Sequence, residues 1–333
     1  MKKSIVVFLG FLITSSVSLF AQTPATSPLD PIITRFNIGA GLVNSGDFKG
    51  AIAEFEVVIT MADEVGSSAN DLKTKAQNQL PILHYQVATS LLKQKKYEEA
   101  VTYLEKTVQL AENSGNNQST KEKAFKLLPT ILFQVGFQKY KEKNNTEALK
   151  YYQSAINYDP NNDNAYLGIG IIYADTNDEQ KMVTNLQKAI EIGTAMNDIK
   201  TIETAQRKLS GYYVNIGNID LSEVESENPD YSFAIKNFEK AISYDPKASD
   251  AYYALASIYN KTLEFDKAII NGNKALENET QEIKLALINY ELGTAYTNTA
   301  EYEKACEALK KAMVGDLTER AQLKIEKVPG CIK

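Results

Sequence analysis

One stretch of the chain, Tyr151 to Tyr173, returns at a fixed offset of 86 residues. Tyr152, Ala155, Ile156, Tyr158, Asp159, Pro160, Ala165, Tyr166 and Tyr173 recur as Phe238, Ala241, Ile242, Tyr244, Asp245, Pro246, Ala251, Tyr252 and Tyr259. Self-similarity of this kind is the mark of an architecture built by repetition. The apolar residues ahead of each Asp-Pro fall at helical spacing, and the residue before a proline is pushed out of the helical region, so a helix ends there. After a few polar residues an Ala-Tyr pair opens a second apolar run of helical period, which makes the unit helix, tight turn, helix. A unit of this size cannot bury its apolar stripe alone and must stack on its neighbours.

A second spacing identifies the unit. A small residue in the first helix is followed twelve residues later by alanine in the second: Gly39 with Ala51, Ala88 with Ala100, Gly136 with Ala148, Ala256 with Ala268, and Gly293 with Ala305. The pattern resembles the tetratricopeptide repeat, a pair of helices with small residues where they cross. Gly170 has Met182 in place of the alanine, and Ser210 reaches Ala234 only after an insertion of twelve residues. The resemblance implies an all-α fold: a right-handed superhelical solenoid of about seven helix pairs with a C-terminal capping helix. A solenoid grows by addition, so a chain of 333 residues needs no second core.

Taken in order, Lys2 and Lys3 precede an apolar run from Ile5 to Phe20 and then Ala21. This reads as a signal peptide over 1–21, with an uncleaved anchor as the alternative. The protein is then exported, to the periplasm first of all, or secreted or surface-associated, with no integral membrane segment after cleavage. Residues 22–30 form a Pro- and Thr-containing flexible leader. The solenoid occupies 31–315, with an insertion near 217–228, and 316–333 form the capping helix and tail. Between the first three repeats the spacing is longer than a minimal unit, and the polar segments around Ala62 to Gln79 and Glu112 to Lys123 read as lengthened helices or as plain surface loops. In the third repeat Lys139 and Asn145 stand where the family prefers large apolar residues, which predicts looser packing there. Cys306 lies in the last repeat and Cys331 in the tail. In an oxidising compartment they form a disulfide closing a loop of about 25 residues, contributing roughly 3 kcal/mol; two free thiols are the alternative.

Few kinds of chemistry fit this composition. The single histidine, His84, falls at a packing position of a first helix, so a His-based triad and a multi-histidine metal site are excluded by count. Gly168-x-Gly170 lies within a helix without a preceding strand, and two cysteines without a CxxC make no zinc or redox motif. Asp220, Glu223, Glu225, Glu227 and Asp230 lack the alternation and central glycine of a calcium loop and read as a solvated acidic loop. The net charge of −6 argues against nucleic acid as a partner. The expectation is a chain that is not an enzyme and carries no cofactor and no metal.

In the resembling family the first helices line a concave groove. Phe36, Tyr85, Phe133, Leu167, Arg207, Tyr253 and Tyr290 occupy one equivalent position there, three residues before the small residue. One turn on, Phe137 stands among mostly small residues. These aromatic side chains, with Arg207 and Lys208 as an anchor for an anion, are the candidate site for a peptide or protein segment. The rings either face the groove or pack between helices. Some family members clamp a C-terminal carboxylate with Lys, Asn and Arg; here the corresponding positions are chiefly aromatic or small. The reading is an exported protein-interaction adaptor. Its alternatives are a binder of glycan or cell-wall fragments using the same rings and a structural subunit of an envelope complex.

Overall fold

The computed structural model describes residues 27–223 and 229–331. The signal peptide, most of the leader and Glu225 and Glu227 of the acidic stretch lie outside the described residues. Among those described there are fifteen α-helices, one 3₁₀ turn (Ser67–Ala69) and no strand. No described helix is long and apolar enough to cross a membrane.

The described residues form two compact units, one made of those up to Ser90 with Tyr103–Glu122, the other of Leu91–Thr102 with those from Lys123 onward. In the first, α1 (Asp30–Ser45) and α2 (Phe48–Val65) pair where Gly39 meets the Phe55 ring. The turn between them uses Gly46 at φ 82, and Asp47 accepts the Gly50 N–H to cap α2. Helices α3 (Asn70–Lys93) and α4 (Tyr97–Ser114) follow, and the side chains of Asn116 and Asn117 donate to Asn78, fastening the start of the next turn onto α3. Both α3 and α5 (Gln118–Lys141) are 24 residues long. The polar segments between the first repeats are thus lengthened helices. Pro81 and Pro129 sit at the same register within them and are buried, each leaving one helical hydrogen bond unmade.

The second unit carries the pairs α5 with α6 (Asn145–Tyr158), α7 (Asp163–Asp175) with α8 (Glu179–Met196), α9 (Ile199–Glu223) with α10 (Ser232–Tyr244), α11 (Ser249–Lys261) with α12 (Phe265–Asn278), and α13 (Glu282–Asn298) with α14 (Tyr302–Lys311). Each second helix also packs on the next first helix, and the first helices α7, α9, α11 and α13 pack side by side. They form the inner layer. Helix α15 (Leu317–Ile325) closes the end, burying Ala321, Ile325 and Val328 with Ala305 and Leu309. Cys306 and Cys331 are joined in a disulfide with Cα atoms 5.5 Å apart.

Two expectations need correction. Gly217 to Glu223 is not inserted loop: it is the last two turns of α9, a helix of 25 residues. Its N-terminal half presents Ala205 and Leu209 to Met182 and Leu186 of α8, and its C-terminal half presents Tyr213 to Ala234 and Phe238 of α10. The small residue at the crossing with α10 is Gly217, where a Cβ would stand 2.8 Å from the Phe238 ring. Ser210 lies one position after Leu209, in the half of α9 that packs on α8. From Gly217 the interval to Ala234 is seventeen residues, so the insertion is five residues, not twelve. The third repeat is also not loosely packed. Tyr152 is 1% exposed, its ring held between Gly136 and Gly168, while Lys139 is largely covered and pairs with Glu98 at 2.9 Å.

Candidate functional site

The inner face of α5, α7 and the start of α9 encloses a cavity of about 390 Å³. Phe133, Phe137 and Tyr140 reach it from α5 because residues i, i+4 and i+7 share one face of a helix. Tyr152 forms the floor, and Leu167, Gly168 and Ile171 form the α7 wall. Phe133 stacks on both Phe137 (6.3 Å between centroids) and Tyr152 (5.7 Å). Phe137 is 36% exposed, the most accessible ring of the set, with the Lys141 ammonium 4.5 Å from its centroid. The opposite wall is polar: Asn164, Asp198, Lys200, Thr201 and Thr204.

Asp198 caps α9, accepting from Thr201 N at 3.1 Å and Thr201 Oγ1 at 3.0 Å, and these hydrogen bonds hold its carboxyl below the usual range. Beside it Asp163, 4% exposed, is pushed upward by burial. Asp163 Oδ1 accepts from the backbone and side-chain amides of Asn164, which fixes Asn164 at the cavity wall.

A second cavity, about 530 Å³, adjoins the first through their shared Thr204. It is lined by Ala174, Asp175 and Asn177 at the end of α7 and by Arg207, Lys208, Gly211, Tyr212 and Asn215 of α9. Tyr140 links the two, donating its hydroxyl to Asp175 at 2.7 Å; burial and this bond raise the phenol to about 12. Arg207 and Lys208 are exposed and make no ion pair with any described residue, Arg207 donating only to the Glu203 carbonyl. Gly211 faces open space. An apolar aromatic pocket thus runs into a basic one over three successive first helices.

The structure distributes the remaining sequence candidates differently. Phe36 packs edge-on against Phe55 at 5.3 Å, and Tyr85 is half-buried, both in the first unit. Tyr253 is half-buried beside Ala275 and Leu292. Tyr290 does not line an open groove: it lies under Arg320 and Lys324 of α15, each 5.0 Å from its ring. Arg207 is not the equivalent of the aromatic residues. With Gly217 as the crossing residue, Val214 takes that position, and Arg207 stands two turns earlier on α9, which is why it faces the end of α7. Tyr140, Thr204 and Tyr212 were missed. The i, i+4, i+7 series Phe133, Phe137, Tyr140 was the signal that pointed to the first of them.

Models of the tetratricopeptide repeat match residues 86–114, 163–192, 237–270 and 286–313, and a model described as TPR repeat matches 136–177. The Hsp70-Hsp90 organising protein of Plasmodium falciparum is 30% identical over 87 residues, 25% of this chain and 15% of that protein. The chain therefore spans about a seventh of that curated relative. Among solved structures, the C-terminal part of a TPR repeat-containing protein from Cytophaga hutchinsonii is 18% identical, covering 86% of this chain and 98% of that one, with a TM-score of 0.37. A MamA protein is 22% identical, covering 61% and 96%, with a TM-score of 0.34.

Proposed function

We propose that this chain, which matches tetratricopeptide-repeat models over residues 86–114, 136–192, 237–270 and 286–313, is a non-enzymatic adaptor whose second unit binds an extended peptide segment across the inner face of α5, α7 and α9. One observation carries this reading: the aromatic pocket of Phe133, Phe137, Tyr140 and Ile171 opens into the basic pocket of Arg207 and Lys208, whose charges have no partner among the described residues. A segment with a large apolar side chain and, a few residues along, an acidic group complements both. The rings supply contact area at small entropic cost, and the cations fix register. We further propose that the protein acts outside the cytoplasm. Lys2, Lys3 and the apolar run after them support export, and a Cys306–Cys331 bridge suits an oxidising compartment.

The test is selection from a random peptide library displayed on phage, followed by titration of the selected peptide. Enrichment of a bulky apolar residue at a fixed distance from Asp or Glu is expected. Phe137→Ala, and separately Arg207→Glu with Lys208→Glu, should each weaken that peptide at least about tenfold, equivalent to about 1.4 kcal/mol. Failure to enrich any such pattern, or equal affinity in the variants, would overturn the reading.

A further inference from the structure

Helix α15 lies over Tyr290, whose equivalent in α5, Phe133, lines the aromatic cavity. Arg320 and Lys324, four residues apart and so on one helical face, both stand 5.0 Å from the Tyr290 ring. Lys324 is half-buried there, its ammonium lowered by that burial while the nearby Glu291 opposes the shift. Glu291 is itself held in place, accepting from Ser257 at 3.2 Å and from Asn260 at 2.8 Å. The seat thus combines a ring face with a positioned carboxylate, a pairing that favours cations.

Apolar contacts alone hold α15 modestly. The helix has nine residues and, with the turn after it, buries only Ala321, Ile325 and Val328. The Cys306–Cys331 bridge closes the segment that contains it, at a sequence separation of 25, and both sulfur-bearing residues pack in the same cluster as Ile325 and Tyr290. A short helix tied down at its far end by a covalent link depends on that link to stay seated.

We propose that the inner face of α11 and α13 around Tyr290 and Glu291 is a binding site for a short basic helix of the form Arg-x-x-x-Lys, filled in cis by α15 as long as the Cys306–Cys331 disulfide is intact. Reduction by a dithiol empties it. One thiolate of the reductant attacks a bridge sulfur, the second closes the reductant into its own cyclic disulfide, and Cys306 and Cys331 leave as two thiols. The vacated face then accepts a partner helix carrying the same two cations. This site is separate from the α5–α7–α9 pockets and stands whether or not those bind peptide.

The experiment uses the full-length chain, oxidised, dithiol-reduced, and as Cys331→Ser. Amide exchange over 317–328 and nitration of Tyr290 are followed by mass spectrometry. Reduction and Cys331→Ser should each accelerate both by roughly two orders of magnitude, with exchange in α11 and α13 unchanged. A synthetic peptide of residues 317–328 added to the reduced chain should restore protection of Tyr290. The same peptide with Arg320→Gln and Lys324→Gln should not. Equal protection in oxidised and reduced chains would make α15 a fixed cap and overturn the proposal. So would faster exchange throughout α11 and α13, or rescue by the uncharged peptide.

Discussion

His84 is 7% exposed, neither ring nitrogen has a hydrogen-bond partner in the protein, and the ring lies 5.5 Å from that of Tyr103. Burial, aided by the charge of Lys106, lowers its pKa from 6.5 to about 4. The unfolded chain therefore binds the proton more readily. The stabilising effect is complete above pH 6.5 and is lost as the pH falls toward 4, by up to about 3 kcal/mol. Urea unfolding at pH 7.5 and 5 should show this loss, and His84→Phe should remove that part of it; an unchanged difference between the two pH values in the variant would refute the burial. The turns between paired helices carry a second residue-scale cost. Gly46, Lys95, Lys143, Asn177, Leu263 and Ala300 all have φ between 57° and 82°, and only the first is glycine. Leu263, 72% exposed, has little packing to lose. Leu263→Gly should stabilise the protein by about 1 kcal/mol, read as a higher urea midpoint with an unchanged slope.

At the scale of helices, the crossings are set by close approach. An added Cβ would stand 2.6 Å from the Tyr152 ring at Gly168 and 2.7 Å at Gly136, and at Gly136 it would also lie 3.3 Å from the Ala148 carbonyl. Gly168→Ala should therefore push the ring that floors the aromatic cavity and cost about 1–3 kcal/mol, as should Ala148→Leu. Of the two, only Gly168→Ala acts directly on the binding surface, so peptide affinity should fall further in it than in Ala148→Leu at matched stability. Three pairs carry a further brace across the turn. Lys181, Lys267 and Lys304 lie 5.0, 5.0 and 5.4 Å from the rings of Tyr173, Tyr259 and Tyr296, and each also pairs with the acidic residue three positions earlier, Asp178, Glu264 or Glu301. These groups are exposed, and their contribution is small.

For the whole molecule, stability in stacked repeats is close to a sum of units and nearest-neighbour interfaces. Damage at one crossing should stay local to the adjoining pairs. Export is tested on the intact chain: expressed with its native N-terminus in a bacterial host, the mature protein should begin near Gln22, as read by N-terminal sequencing. A chain retaining Met1 in the cytoplasmic fraction would overturn that proposal.

The sequence by itself determined the repeat. Small residues at crossings, Asp-Pro stops and helical apolar spacing are local constraints, each enforced within one or two turns of chain, and they named the helix pairs from Gly39 to Ala305. Phe133, Phe137, Arg207 and Lys208 were also legible as residues of the inner face. Only the tertiary structure decided which of them form a site. The length of α9 placed Gly217, and not Ser210, against Phe238, because a long helix can serve two neighbours in turn and periodicity does not say where one ends. The same shift moved Arg207 from the aromatic row to the mouth of the α7–α9 pocket. Tyr290, identical in pattern to Tyr253, is covered by α15 because the closing helix folds back over it, a contact between segments about 30 residues apart that no local spacing encodes.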